Sequence, residues 1–407
     1  MSKCRSCGEI LSKIFLDLGL NPIANNLPST NQFNSEIDFY PLKVMTCDSC
    51  ALVQLAIDLP KEMLFHPDYV YYSSFSSTWL EHSRAYAQKM IANLKLGRDD
   101  LVIEVASNDG YLLQFFAKEN IQILGIEPAK EVANKAIKNG IPTLIEYFGE
   151  SIAKQISQRN KPTLMIANNV LAHVPNLHDF ISGFSSLIAE NGVITFEFPH
   201  LVNLIKNTQF DTIYHEHYSY LSLYSLIPLF ENYGLKVFNV EQIGTHGGSL
   251  RVFAAKIDST WVVEDSVKEI TRLELEYDPR LVTVSGPFQE RVRLIKQELL
   301  TELNKLKNHG FKIAAYGAAA KGVTLLNYCN IDVNLIDYVI DLNPNKQGKF
   351  IAGLNIPIVD LSMLRKNTPD VLLILPWNLS IEIKSQLFDY YKSGLKMLRA
   401  IPKLEYV

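Results

Sequence analysis

Six consecutive residues, Tyr214-His-Glu-His-Tyr-Ser219, set two histidines, a glutamate and two tyrosines side by side. A histidine has the pKa for proton transfer near neutrality, and an adjacent carboxylate can orient it or raise its basicity. The segment therefore suits general acid/base work. A His-x-His pair can also hold a metal, but the H-E-x-x-H spacing of zinc hydrolases is absent. A polar edge strand or loop is the plain structural alternative. His173, which follows Asn168 and Asn169 at a strand end, is a candidate for the same cleft.

Four of the five cysteines are paired, as Cys4-x-x-Cys7 and Cys47-x-x-Cys50, while Cys329 stands alone. In a cytosolic chain such pairs read as zinc ligands rather than disulfides. Two knuckles close a tetrahedral four-sulfur site with no open position, so the zinc is expected to be structural.

Glu104-Val-Ala-Ser-Asn-Asp-Gly110 ends one strand and opens a helix, the place where an open α/β sheet binds its ligand. Small residues there let a cofactor approach the backbone. Glu127 ends the next strand, well placed to bond ribose hydroxyls. The turn has Ala106, Asn108 and Gly110 where dinucleotide binders have glycines, so the cofactor need not carry phosphate. S-adenosylmethionine suits these features, with a nucleotide cofactor or an ordinary tight turn as alternatives. A second turn, Ala315-Tyr-Gly-Ala-Ala-Ala-Lys-Gly322, follows a later strand. A nicotinamide site and a purely structural domain are two readings of it.

These groups need elements to position them. Strand runs at 101–105, 123–126, 163–167 and 193–198 alternate with helical segments at 111–118, 130–139 and 179–189, which predicts a doubly wound α/β domain. Two more strands are expected at 236–240 and 250–255. Before them lie a turn-rich stretch, a β-like run at 40–45, the aromatic cluster of Tyr69, Tyr71, Tyr72 and Phe75, and a helix at 79–96. Val292, Ile295, Leu299, Leu303 and Leu306 recur at helical spacing and predict a helix packed against a domain. From Phe311 the pattern restarts, at 312–316, 339–341 and 371–375, as a smaller α/β domain. The expected limits are 1–68 for the zinc-binding domain, 69–258 for the cofactor domain, 259–310 for a helical connector and 311–407 for the last domain.

With 47% hydrophobic and 20% charged residues and a net charge of −4, the composition is that of a globular protein without the basic face of a nucleic-acid binder. No apolar run reaches the ~20 residues that span a bilayer, and Met-Ser-Lys-Cys does not open a signal peptide. A cytoplasmic enzyme is expected.

The ordered set of Cys4-x-x-Cys7, Cys47-x-x-Cys50, Val105-Ala-Ser-Asn-Asp-Gly110, Asn168-Asn-Val-Leu-Ala-His-Val174, Phe210-Asp-Thr-Ile-Tyr-His-Glu-His217, Thr245-His-Gly-Gly-Ser-Leu-Arg251 and Ala315–Gly322 resembles the sugar C-methyltransferase family across the whole chain. The resemblance implies an amino-terminal zinc-binding domain, a central Rossmann-like methyltransferase domain and a carboxy-terminal Rossmann-like domain that completes the substrate site. It implies S-adenosylmethionine, structural zinc and a nucleotide-linked keto-sugar, with the chain taken as a monomer. By matching positions, His217 would be the general base, with Glu216 and Tyr214 beside it, His173 across the cleft, and Tyr71 or Tyr72 reaching the sugar. Glu104, Ala106, Asn108, Asp109, Gly110, Glu127, Pro128, Asn168 and Asn169 would hold the cofactor. His215, His246, Arg251, Gly317, Lys321 and Asn378 would meet the substrate, in a sugar-nucleotide pocket with Lys321 near a phosphate and Asn378 in the Pro376-Trp-Asn378 turn. The turn at 317–322 has Ala319 where the family pattern has proline, which predicts a more flexible loop.

A carbon beside a ketone is acidic enough for a histidine to deprotonate if hydrogen bonds stabilise the enolate oxygen. The carbanion-like carbon, C3 of a 4-keto sugar, would then take the sulfonium methyl, with the protein supplying positioning and exclusion of water. Sugar O-methylation, a nicotinamide-dependent oxidoreductase and a catalytically silent sugar-nucleotide binder are the other readings.

Overall fold

Strands that are apolar on both faces need cover on both sides, and two of the three sheets meet that need with helices. The computed structural model describes residues 2–30, 37–64, 72–75, 77–158 and 161–407. Tyr69 and Tyr71 lie outside the described residues. Among those described, the early strands are β1 (Lys13–Asn21), β2 (Tyr40–Thr46) and β3 (Val53–Leu55). Then come β4 (Leu101–Val105), β5 (Gln122–Ile126), β6 (Thr143–Leu144), β7 (Leu164–Asn168), β8 (Val193–Pro199), β9 (Ser219–Tyr220), β10 (Leu235–Ile243) and β11 (Ser249–Lys256). The last are β12 (Ile313–Tyr316), β13 (Val339–Ile340), β14 (Ile358–Val359), β15 (Val371–Ile374), β16 (Lys396–Arg399) and β17 (Glu405–Tyr406).

The central sheet runs β10-β11-β8-β7-β4-β5-β6. Its β8 to β6 portion is parallel, and β11 and β10 add an antiparallel hairpin edge. Side chains alternate as a pleat requires: Ile103 and Val105 enter one core and Val102 the other. The helix Ser77–Leu94 covers that second face with Tyr86, Ala87 and Met90. The carboxy-terminal sheet runs β14-β13-β12-β15-β16-β17, parallel except for β17. In both sheets the first strand, β4 or β12, sits between neighbours reached in opposite directions. A crevice therefore opens beyond the carboxyl ends of the strands.

The helix Pro287–Asn308 buries Phe288, Val292, Ile295, Leu299, Leu303 and Leu306 along one face, as its spacing predicts. That face shares one core with Phe15, Val44 and Val53 of the amino-terminal strands and with Ile313 and Val371 of the last sheet.

The amino-terminal sheet, β1-β2-β3-β9, departs from the sequence reading in two respects. Residues 13–21 form a nine-residue strand rather than part of a turn-rich stretch. Its alternation fails where Phe15 and Leu16 are both buried and where Gly19 and Leu20 are both exposed, and its register slips twice against β2. The fourth strand comes from far along the chain, with β9 pairing Tyr220 to Val53 and Ser219 to Gln54. Among the described residues, no helix is long and apolar enough to cross a membrane.

Glycine is required where the two loops of the last sheet meet. Gly317 has φ +86°, and a Cβ there would lie 2.6 Å from Pro376 Cδ. The missing proline does not leave this turn untethered. The Ala319 N–H donates to the Gly317 carbonyl at 2.8 Å, and the Ala318 N–H donates to Asp341 Oδ2 at 2.8 Å. Gly317→Ala is expected to lower the free energy of unfolding by about 1–3 kcal/mol, through left-handed strain and overpacking. Urea unfolding checks this, and an unchanged midpoint would show the turn to be free to move.

Candidate active site

The base candidate is held by the backbone of its own segment. A short turn, Phe210–Thr212, leads into Tyr214–His217, and β9 follows. His217 Nδ1 lies 2.9 Å from the Thr212 carbonyl oxygen. A carbonyl only accepts, so Nδ1 carries the proton and Nε2 keeps its lone pair. Nε2 lies 2.7 Å from the Tyr214 hydroxyl, which donates to it. His173 Nδ1 lies 2.7 Å from the Glu216 carbonyl oxygen, and the two imidazole centroids are 4.7 Å apart. Burial pushes His217 well below the ordinary histidine range, and repulsion from His173 adds to it. Burial brings His173 and His246 each down to about 4. The cleft thus holds neutral imidazoles at neutral pH.

Three expected roles change. Glu216 does not orient His217; its Oε1 accepts the Asn25 N–H at 3.0 Å and Asn25 Nδ2 at 2.9 Å. His215 does not face the substrate side. It is buried against the amino-terminal unit, with its ring centroid 6.1 Å from that of Tyr40. Arg251 is not a free anchor: its Nη2 donates to Glu197 Oε2 at 2.9 Å, and its guanidinium lies 4.5 Å from the Tyr86 ring centroid.

Glu197, with His82 and Thr245, escaped the sequence reading. It is fully buried, and it accepts from Thr245 Oγ1 at 3.0 Å and meets His82 Nε2 at 3.0 Å. Burial pushes its carboxyl up, but His82 and Arg251 outweigh that and hold it below the usual carboxylate range. A charged residue inside the apolar run 193–198 was the available signal, since lone carboxylates are rarely buried. Trp79 stacks on His82 at 4.9 Å and tilts against His246 at 5.4 Å, so this group walls the cleft.

The β4 crevice gathers the expected cofactor residues. Ala106, Asn108 and Gly110 turn with φ of +56°, +50° and +80°. Glu127 Oε2 accepts the Asn108 N–H at 3.0 Å and Oε1 accepts the Ala129 N–H at 2.8 Å, across Pro128. A carboxylate offers about four lone-pair sites, so acceptors remain for ribose hydroxyls. Burial raises the Glu127 carboxyl to about 6. Glu104, fully buried at the end of β4, is pushed well above its ordinary value by the same cause. Asp109 pairs with Lys135 at 3.3 Å and accepts from Ser74. Asn168 ends β7, and the Asn169 N–H donates to the Glu197 carbonyl at 2.6 Å. Lys135 Nζ also lies 4.5 Å over the Tyr72 ring, which places Tyr72 on the cofactor side of the cleft.

The β12 crevice faces the same segment. Lys321, in the first turn of the helix Ala320–Cys329, donates to Asn378 Oδ1 at 2.8 Å and lies 4.6 Å over Trp377. Trp377 Nε1 donates to Asp211 Oδ2 at 2.7 Å, and Thr324 donates to the Ile213 carbonyl at 3.0 Å. Burial raises Asp211 to about 7, and burial lowers Lys321 against the pull of Asp211. Asp211 and Trp377 were also missed as site residues, although each stands inside a motif singled out for its neighbours.

The four paired cysteines converge, with all four Sγ atoms within 4.8 Å of one another. Cys4 and Cys50 Sγ lie 3.5 Å apart and Cys7 and Cys47 Sγ 3.4 Å apart. A zinc–sulfur bond of ~2.3 Å gives tetrahedral sulfur separations of about 3.8 Å, so the donor set fits zinc closely.

Comparison with known proteins agrees with this geometry. Residues 4–65 match the family model described as "Putative zinc binding domain", 79–240 a methyltransferase domain and 244–402 a C-methyltransferase C-terminal domain. The C-methyltransferase NovU of Streptomyces niveus is 31% identical over 404 residues, 99% of this chain and 96% of its own. The chain belongs to the C-methyltransferase family. It is an S-adenosylmethionine-dependent C-methyltransferase with a zinc-binding amino-terminal unit. Among solved structures, magnesium protoporphyrin IX methyltransferase (ChlM) from Synechocystis PCC 6803 with bound SAM is 14% identical, with a TM-score of 0.33 over 44% of this chain and 79% of its own. A S-adenosylmethionine-dependent methyltransferase from Clostridium acetobutylicum ATCC 824 is 10% identical, with a TM-score of 0.36 over 44% and 92%. Likenesses this distant carry no weight for the site.

The Glu127 carboxyl supplies a test of the cofactor side of this methyltransferase. Ribose hydroxyls bonded to the carboxylate favour its charged form, so the bound pKa falls below the free value of about 6. Affinity for S-adenosylmethionine is then full above pH 6 and lost as pH falls through it. Calorimetry from pH 7.5 to 5 is expected to show this fall for the wild type and a flatter profile for Glu127→Gln. Identical profiles would remove Glu127 from the ribose.

Proposed function

We propose that this enzyme methylates the carbon next to the ketone of a nucleotide-linked keto-deoxysugar, C3 of a 4-keto sugar, in branched-sugar biosynthesis. One observation carries the reading: an imidazole whose Nδ1–H is tied to Thr212, so that Nε2 is the basic nitrogen, with the Tyr214 hydroxyl donating to it at 2.7 Å. That is the state of a base waiting for a carbon-bound proton. The match of residues 244–402 and the likeness to a C-methyltransferase along 99% of the chain support carbon as the acceptor.

His217 Nε2 takes the ring proton and its electron pair moves onto the ketone oxygen as an enolate. The Tyr214 hydroxyl, already within hydrogen-bond reach of Nε2, and the buried Lys321 ammonium are the donors near enough to stabilise that oxygen. Bound S-adenosylmethionine supplies an electrophilic methyl on a sulfonium. Trp79, His82 and His246 close the cleft against water. Gly317, Lys321 and Asn378 line the β12 crevice, where a cation at a helix N-terminus suits the phosphates of the nucleotide.

His217→Asn keeps much of the shape and bonding but cannot accept a proton near pH 7. In deuterated water without S-adenosylmethionine, the wild type is expected to exchange the acidic ring proton of a thymidine-, guanosine- or cytidine-linked 4-keto-deoxysugar. The variant should exchange it at least about a hundredfold more slowly while binding both ligands. Exchange at the wild-type rate would place the base elsewhere.

A further inference from the structure

The residues on either side of His217 are gripped by side chains from the far end of the chain. Before it, buried Glu216 receives two N–H groups of Asn25 on one carboxylate oxygen, at 3.0 and 2.9 Å. After it, the carbonyl of buried Tyr218 receives Arg5 Nη1 at 2.9 Å, and the guanidinium lies 5.3 Å from the Tyr218 ring centroid. Arg5 sits between Cys4 and Cys7 in the first knuckle. Its own N–H donates to Gln54 Oε1 at 2.8 Å, its Nη2 pairs with Asp58, and Gln54 stands opposite Ser219 in the β3–β9 ladder. The Tyr218 hydroxyl donates to the Leu59 carbonyl at 3.0 Å. The zinc-binding unit thus holds Glu216 before His217 and Tyr218 and Ser219 after it.

We propose that Asn25 and Arg5 are positioning residues for catalysis, clamping the His217 peptide from both sides so that Nε2 stays aimed into the cleft. The proposal rests on His217 being the base. A buried carboxylate is costly unless hydrogen-bonded, so Glu216 keeps its place only while Asn25 supplies donors. The Glu216 carbonyl in turn fixes His173, 2.7 Å away. Losing Asn25 therefore frees the peptide that carries one imidazole and anchors the other. A misplacement of about an ångström at a reacting group costs about a hundredfold in rate.

Four forms of the zinc-loaded enzyme test this: wild type, Asn25→Ala, Glu216→Gln, and the exchanged pair Asn25→Asp with Glu216→Gln. For each, zinc content, melting temperature, S-adenosylmethionine affinity, substrate KM, kcat and solvent exchange of the ring proton are measured. Asn25→Ala is expected to keep its zinc and both ligand affinities within about threefold, while exchange and kcat fall together about a hundredfold. The exchanged pair restores an amide-to-carboxylate bond with the roles reversed and should recover about a tenth or more of the lost rate. Unaltered exchange and kcat in Asn25→Ala would overturn the proposal. So would a loss that comes with zinc release or unfolding, or one that the exchanged pair fails to recover. Failure of the base assignment is separate, because it would show as undiminished exchange in His217→Asn whatever Asn25 does.

Discussion

An imidazole nitrogen can accept a proton only if it does not already hold one, and at His217 that is decided by a single backbone carbonyl. Thr212 accepts from Nδ1, so Nε2 is the basic nitrogen. The rest of the site serves to keep that carbonyl and that ring in place. Trp377 bonds to Asp211 on one side of Thr212, and Thr324 bonds to the Ile213 carbonyl on the other. Both come from the carboxy-terminal unit. From the opposite direction, Asn25 and Arg5 hold Glu216 and Tyr218. A segment of eight residues is thus the meeting point of all three sheets.

Burial then sets the charges. Removing water disfavours charged imidazoles, and the Lys321 ammonium disfavours them further at His217 and His246, so these two and His173 stay neutral where free histidines begin to protonate. Charge persists where a partner is close. Glu197 is fully buried yet stays below the usual carboxylate range because His82 and Arg251 face it. The group around Glu197 therefore carries a compensated ion pair, while the His217 imidazole carries no charge.

Local periodicity and spacing made much of this readable. The alternation of apolar strands with helices from 101 to 198 marked the central sheet, and the two C-x-x-C knuckles marked the metal site. Features that depend on distant partners were not readable. The two-residue strand β9 is too short to show a period, and it exists because β3 offers it an edge. The Asn25–Glu216 bond joins positions 191 residues apart, and nothing local to either one announces it. Strand β1 was lost because its register slips leave Phe15 and Leu16 both buried and Gly19 and Leu20 both exposed, which breaks a period of two. The resemblance put Arg251 at the substrate, whereas the partner it is bonded to, Glu197, was hidden in an apolar strand.

The protonation state of His217 tests the central claim most directly. Nitrogen-15 NMR of histidine-labelled, zinc-loaded protein, with His217 assigned by comparison with His217→Asn, reports both tautomer and charge. At pH 7 the ring should be neutral with its proton on Nδ1, and it should remain so as the pH is lowered through 6.5. A proton on Nε2, or a ring that charges at the ordinary histidine pKa, would contradict the account.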